Sequence, residues 1–139
     1  MRLRDLSPAD APATLAWLTD PAVTCGLAGQ YSGMDLQDAE AFIAKAIRDP
    51  NEVHKVIVTD EDTYAGMVSL RHINMPEASA ELTVVMRSEF FGKGYAWFGV
   101  VSILKYAFEQ LSLHSVYWRV NQENRRAIRF FEKHGFNRP

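Results

Sequence analysis

Gly92 and Gly94 stand one residue apart in Phe90-Phe91-Gly92-Lys93-Gly94-Tyr95-Ala96-Trp97, directly before the apolar run 98–111. Glycines at that spacing can turn backbone N–H groups toward one point, and a helix beginning there adds its own unpaired N–H groups and the positive end of its dipole. The chemistry this suits is the binding of a phosphate or pyrophosphate, the more so because a strand-like stretch, residues 80–86, leads into it. A plain glycine turn accounts for the same two residues equally well. The chain has no Gly-Lys-Ser/Thr, which argues against a nucleotide-hydrolysing phosphate loop, and no third glycine at the dinucleotide spacing, which argues against a nicotinamide fold.

The elements that must position this stretch can be read in order. Residues 2–6 alternate charged and apolar and predict a strand. Ser7-Pro8-Ala9-Asp10 supplies a cap, a first-turn proline and an acid, so a helix is expected over 8–18. Residues 19–33 carry Pro21, Gly26, Gly29 and Gly33 among small residues and predict a connection with one short helical turn. Asp35 caps a second helix, with Leu36, Ala39, Ile43 and Ala46 on one face, ending near Arg48. Strands are expected over 53–59 and 64–73, joined by Asp60-Glu61-Asp62, then over 80–86, the three running antiparallel. The helix 95–111 is apolar on most faces, which predicts burial all round. A strand over 116–120, reached through that helix, should pair parallel with 80–86. A last helix over 124–134 ends at Gly135.

At 139 residues the chain is expected to form one domain, 1–139, with a core large enough to need no disulfide or metal. A net charge of −2 forces neither a nucleic-acid nor a membrane-surface partner. Arg125, Arg126, Arg129 and Lys133 read as a solvated helix face rather than an RNA contact. The lone Cys25 suits a reducing compartment, and neither a leader nor a spanning segment is visible, so a cytoplasmic location is expected. The four histidines show no ligand spacing, so no metal is expected.

The whole resembles the acetyl-coenzyme-A-dependent N-acetyltransferase superfamily abbreviated GNAT, in the branch that acetylates protein N-termini and amino sugars. Gly94 and Ala96 match the pyrophosphate motif Gln/Arg-x-x-Gly-x-Gly/Ala, with Phe91 in the place of Gln or Arg. Residues 124–136 match the later motif that runs from Asn-x-x-Ala/Ser to Gly-Phe. The resemblance implies a mixed α/β (α+β) fold, its sheet mostly antiparallel with helices on both faces and lacking the C-terminal strands. The open edge this would leave is expected to suit a partner subunit, as in a homodimer, and a shortened chain accounts for it equally well.

The resemblance also implies that acetyl-coenzyme A is the co-substrate. Val84, Val85 and Met86 would line its arm at a bulge in the fourth strand. Phe91, Gly92, Lys93, Gly94, Tyr95, Ala96 and Trp97 would hold its pyrophosphate, and Asn124, Ala127 and Phe131 would face it from the last helix. The N–H of Val85 would polarise the thioester carbonyl. Glu81, on the same strand face as Thr83 and Val85, is the candidate base, a solvated strand carboxylate being the rival reading. Phe131 replaces a tyrosine that protonates the departing thiolate, which predicts impaired turnover unless Tyr95 or Tyr117 supplies the hydroxyl. The implied function is acetyl transfer by direct attack in a ternary complex to a primary amine: an amino sugar, a peptide N-terminus or a small amine. The alternatives are a catalytically weak acyl-coenzyme-A sensor or scaffold and a general nucleotide-binding domain.

Overall fold

A computed structural model describes residues 1–24, 33–118 and 129. Its sheet runs in the order β1 (Arg2–Asp5), β2 (Val53–Val58), β3 (Tyr64–Asn74), β4 (Ser79–Met86), β5 (Ser115–Trp118). Neighbours β1 to β4 pair antiparallel and β5 pairs parallel with β4, as the intervening helix requires. The β2–β3 hairpin closes because Thr59 Oγ1 accepts from the N–H groups of Glu61 and Thr63, while Asp62 takes a positive φ of 63°.

A 3₁₀ turn (Pro8–Asp10) leads into α1 (Ala11–Leu18), and a four-residue α2 (Pro21–Thr24) follows. Helix α3 (Leu36–Arg48) starts at a reciprocal box in which Asp35 accepts from Asp38 N–H and Asp38 accepts from Asp35 N–H, both at 2.9 Å. Helix α4 (Tyr95–Glu109) crosses one face of the sheet and packs Val100, Ile103 and Ala107 on Val68, Leu70, Ala80 and Leu82. Helices α1 and α3 cover the other face, where Trp17, Leu18, Ala39 and Ile43 meet Val56, Val58 and Met67. Helices thus lie on both faces, as expected. The expectation that α4 is buried all round fails, since Val101 and Phe108 are exposed. A helix lying on a sheet has only one face to bury, and α4 uses that of Gly99, Val100, Ile103 and Ala107.

Two glycines set how closely neighbouring elements approach, one between helix and sheet and one between adjacent strands. A Cβ on Gly99 would collide with Ile57 Cδ1, and one on Gly66 would collide with Val85 O and Met86 Sδ. Gly99→Val should therefore cost about 2 kcal/mol in urea denaturation, an ordinary overpacking cost. Gly66→Val, blocked by backbone rather than by a side-chain end, should cost about 3 kcal/mol or more.

Asp10 ties the first connection to β1. Arg4 reaches it with both terminal nitrogens, Nη1 to Oδ2 at 2.8 Å and Nη2 to Oδ1 at 2.6 Å, and Ser7 N–H donates to Oδ2 at 2.9 Å. Burial disfavours the charged form, but Arg4 and Ser7 outweigh it and hold the carboxyl below the usual aspartate range. Its contribution to stability is present above that range and is lost as pH falls through the lowered value. Asp10→Asn should cost about 2 kcal/mol at pH 7 and flatten the acid limb of a stability-against-pH curve.

Candidate functional site

Strand β4 ends at Met86, and a 3₁₀ turn over Ser88–Phe90 carries the chain to the glycine loop. Gly92 has φ 74° and Gly94 φ 84°, both in the left-handed region that only glycine enters cheaply. A Cβ at either would meet no atom within 4 Å, so backbone angle rather than packing asks for glycine, and the space beside the loop is open. Gly94 is the N-cap of α4, no side chain caps the helix, and Phe98 N–H donates to Gly94 O at 3.1 Å. The start of α4 thus has the chemistry an anion can use: first-turn N–H groups with no intrahelical partner, no carboxylate or hydroxyl cap competing for them, and positive potential from the dipole.

The surroundings reinforce that sign. Lys93 is exposed with Nζ 6.0 Å from the Phe90 ring centroid, and the Arg87 guanidinium lies 5.9 Å from the same ring. Arg87 Nη1 donates to Tyr64 O at 3.0 Å, which fixes it against β3. Tyr95 packs its edge on Phe90, centroids 5.6 Å apart, and Ala96 and Trp97 lean on the α4 core. Phe91 packs against the hydrophobic clusters on both sheet faces, so it anchors the loop where the motif would place a phosphate-binding side chain. Ser88 Oγ donates to Asp20 Oδ2 at 2.6 Å and links the loop to the segment after α1. That bond and Ala22 N–H hold the Asp20 carboxyl below its usual range.

Strand β4 presents two faces. Ala80, Leu82, Val84 and Met86 belong to the α4 side, whereas Val85 packs with the α1/α3 cluster and shares its face by alternation with Thr83 and Glu81. The expected bulge at Val84 and Val85 is absent: β3 and β4 pair without a shift from Gly66↔Met86 to Arg71↔Glu81, and the irregularity lies between Arg71 and Asn74. The physical reason is Gly66, which lets β4 close tightly onto β3 at that point. Val85 directs its carbonyl at Gly66, and Arg87 N–H, of the same parity, donates to Ala65 O at 2.9 Å. Successive residues of a strand direct their backbone groups to opposite neighbours. The N–H of Val85 thus lies on the β3 side, and those of Val84 and Met86 lie on the side of β5.

Glu81 stands in register between Arg71 on β3 and Tyr117 on β5. Its side chain is 13% exposed, with His72 Nε2 3.7 Å from Oε2. Beside it is a buried group that sequence reasoning passed over. His54 Nδ1 is 2.7 Å from Ser69 Oγ, His54 Nε2 is 2.7 Å from Glu52 Oε1, and Arg71 Nε is 3.5 Å from Glu52 Oε2. Alternation along two expected strands places His54 with Val56 and Ser69 with Met67, so a shared face was legible, but the register joining them was not.

Asn124, Ala127 and Phe131 lie outside the described residues, as do Cys25 and most of the expected last helix. Among the described residues, no three His, Cys, Asp or Glu side chains are grouped to hold a metal, and no helix is long and apolar enough to cross a membrane.

Residues 1–137 match the acetyltransferase (GNAT) domain family. The chain is 33% identical over 106 residues to a spermidine N(1)-acetyltransferase of Vibrio cholerae and 34% identical over 104 residues to one of Escherichia coli K12. These matches take in 76% and 70% of this chain but only 60% and 55% of those relatives, so the chain spans less than two thirds of their length. A crystal structure of spermidine N-acetyltransferase from Vibrio cholerae in complex with CoA and spermine superposes with a TM-score of 0.85 at 27% identity, covering 96% of this chain and 79% of that one. Strand, glycine loop and helix occur here in the order that the family's motif requires, and the match runs almost end to end: the chain belongs to the GNAT acetyltransferase family.

Proposed function

We propose that this chain binds acetyl-coenzyme A at the start of α4 and transfers its acetyl group to a primary amine, with an aliphatic polyamine of the spermidine kind as the acceptor class. The observation that carries the reading is the uncapped N-terminus of α4 behind two glycines held at positive φ. Amides of residues 92–97 would hold the diphosphate, with Lys93 adding charge at the rim. The bound co-substrate would supply an acetyl thioester. Backbone N–H groups of Val84 and Met86, on the β5 side of β4, would be the donors that polarise its carbonyl. Glu81, whose side chain stands on the α1/α3 face of the same strand, draws the acceptor ammonium and takes its proton. The polyamine assignment rests on the names of the relatives and on two sheltered carboxylates, Glu52 and Glu81, flanking Arg71.

Release of free thiol from acetyl-coenzyme A is the direct assay, run with spermidine, glucosamine and an N-terminal peptide in parallel. Saturable release is expected with the polyamine. Tight coenzyme A binding with no release from any amine would instead favour the sensor reading, toward which the packing of Phe91 into the core points.

A further inference from the structure

The glycine loop takes its direction from the turn that leads into it. A Cβ at Gly92 or Gly94 would meet nothing, and no side chain caps α4, so packing along the loop itself does not fix which way its amides face. The chain enters through the 3₁₀ turn over Ser88–Phe90, where Phe90 N–H donates to Arg87 O at 2.9 Å and Phe91 N–H to Ser88 O at 3.2 Å. The entry angle therefore depends on what holds residues 87 and 88. Arg87 is held by β3, its N–H donating to Ala65 O at 2.9 Å and its Nη1 to Tyr64 O at 3.0 Å. Ser88 is held by Asp20, 68 residues away in sequence, its Oγ donating to Oδ2 at 2.6 Å.

These bonds close a circuit. Asp20 N–H donates to Trp17 O at 3.3 Å, and Trp17 Nε1 donates to the Tyr64 hydroxyl at 3.0 Å. Tyr64 O accepts from Arg87, and Ser88, next in the chain, returns to Asp20. Trp17 and Tyr64 are buried in the α1/α3 cluster, where close packing holds two corners of the circuit still. Asp20 is fixed from its other side as well: Oδ1 accepts from Ala22 N–H at 2.9 Å and the carbonyl from Val23 N–H at 3.0 Å, with Val23 buried in the same cluster. Within the circuit, the Ser88–Asp20 bond is the link that joins one connecting segment to another, since the others end on α1 or β3. Its acceptor is a carboxylate, which makes it the strong kind of hydrogen bond.

We propose that Asp20 and Ser88 are positioning residues for the diphosphate: their bond completes the circuit that sets the entry angle of the glycine loop, so its amides are aligned before coenzyme A arrives; this rests on reading the loop as the coenzyme A site. The two side chains act through the loop backbone and not by contact with the ligand. A loop already held in its binding conformation gives up less freedom when the ligand docks, and the saving appears as affinity. It should appear for ligands that carry the diphosphate and not for those that lack it. Cutting the bond leaves Arg87 on its two β3 carbonyls and Phe91 in the core, so the loss is partial and the fold survives.

The test is calorimetric titration of Ser88→Ala, Asp20→Ala and the double variant with coenzyme A, with thermal melting alongside. Ser88→Ala deletes one oxygen and should bind coenzyme A about tenfold more weakly, the worth of one hydrogen bond to a charged group. Its Tm should stay within a few degrees of wild type. The double variant should bind no more weakly than Asp20→Ala alone, because either change opens the same circuit. In steady-state assays the KM for acetyl-coenzyme A should rise in Ser88→Ala while the KM for the amine holds, and pantetheine, which lacks the diphosphate, should inhibit that variant and the wild-type protein equally. Wild-type affinity in Ser88→Ala would overturn the proposal, whatever its Tm, because a bond that serves stability alone leaves binding to the folded protein unchanged. Losses that simply add in the double variant, or an equal loss toward pantetheine, would overturn it too. Failure of the wild-type protein to bind coenzyme A would instead remove the coenzyme A reading and the positioning role with it.

Discussion

Gly94→Val is expected to weaken coenzyme A binding by about 100-fold while leaving the protein folded. Gly94 has φ 84° and no atom within 4 Å of where a Cβ would stand, so the new side chain meets no steric obstacle in the protein itself. What it meets is the left-handed backbone, which costs a β-branched residue about 1–2 kcal/mol and pulls the loop toward negative φ. The amides at the start of α4 then turn away from their common point. Two charge-assisted hydrogen bonds at about 1.5 kcal/mol each account for the 100-fold loss. Gly33 is the matched control, because its φ of 82° and open surroundings impose the same strain away from the loop. In calorimetric titrations Gly33→Val should lose a similar few degrees of Tm and keep its affinity. Equal affinities for the two variants would make the glycine loop a plain turn.

Glu81→Gln should lower kcat/KM for the amine by about 100- to 1,000-fold near pH 7, within the range that general-base removal covers. Glutamine keeps the shape and one acceptor oxygen, but it neither attracts the ammonium nor takes its proton. The sheltered position, 13% exposed beside His72, keeps solvent from substituting fully for the lost carboxylate. The sign with pH is fixed by the substrate: an alkylammonium near pKa 10.4 loses its proton unaided as the pH rises, so the deficit should shrink toward pH 10. Affinity for acetyl-coenzyme A should not change. A variant with the wild-type rate and pH profile would remove Glu81 from the chemistry.

Local signals carried most of the fold. Asp35 with Asp38 specifies the start of α3, and the apolar stripe behind them specifies which side it buries. The order of β4, glycine loop, α4 and β5 specifies a parallel last pair, since a helix crossover returns the chain in the same direction. What stayed hidden depends on pairing between distant residues. The sequence placed Val85 on the same face as Glu81, but the direction of its N–H follows from the β3 ladder, which Gly66 and Ala65 determine from twenty residues away. The Glu52, His54 and Ser69 group likewise forms only when β2 and β3 settle into one register. The exposure of Val101 and Phe108 follows from α4 having one sheet face to cover, which its own composition does not disclose.

The central claim is that amides at the start of α4 hold a diphosphate. An amide-detected ¹⁵N NMR titration with coenzyme A, and with pantetheine lacking the diphosphate, tests it most directly. The account predicts that coenzyme A shifts the signals of residues 92–97 most strongly and saturably, and that pantetheine leaves them in place. Saturable binding of coenzyme A with those signals unmoved, or shifts of equal size from pantetheine, would contradict it.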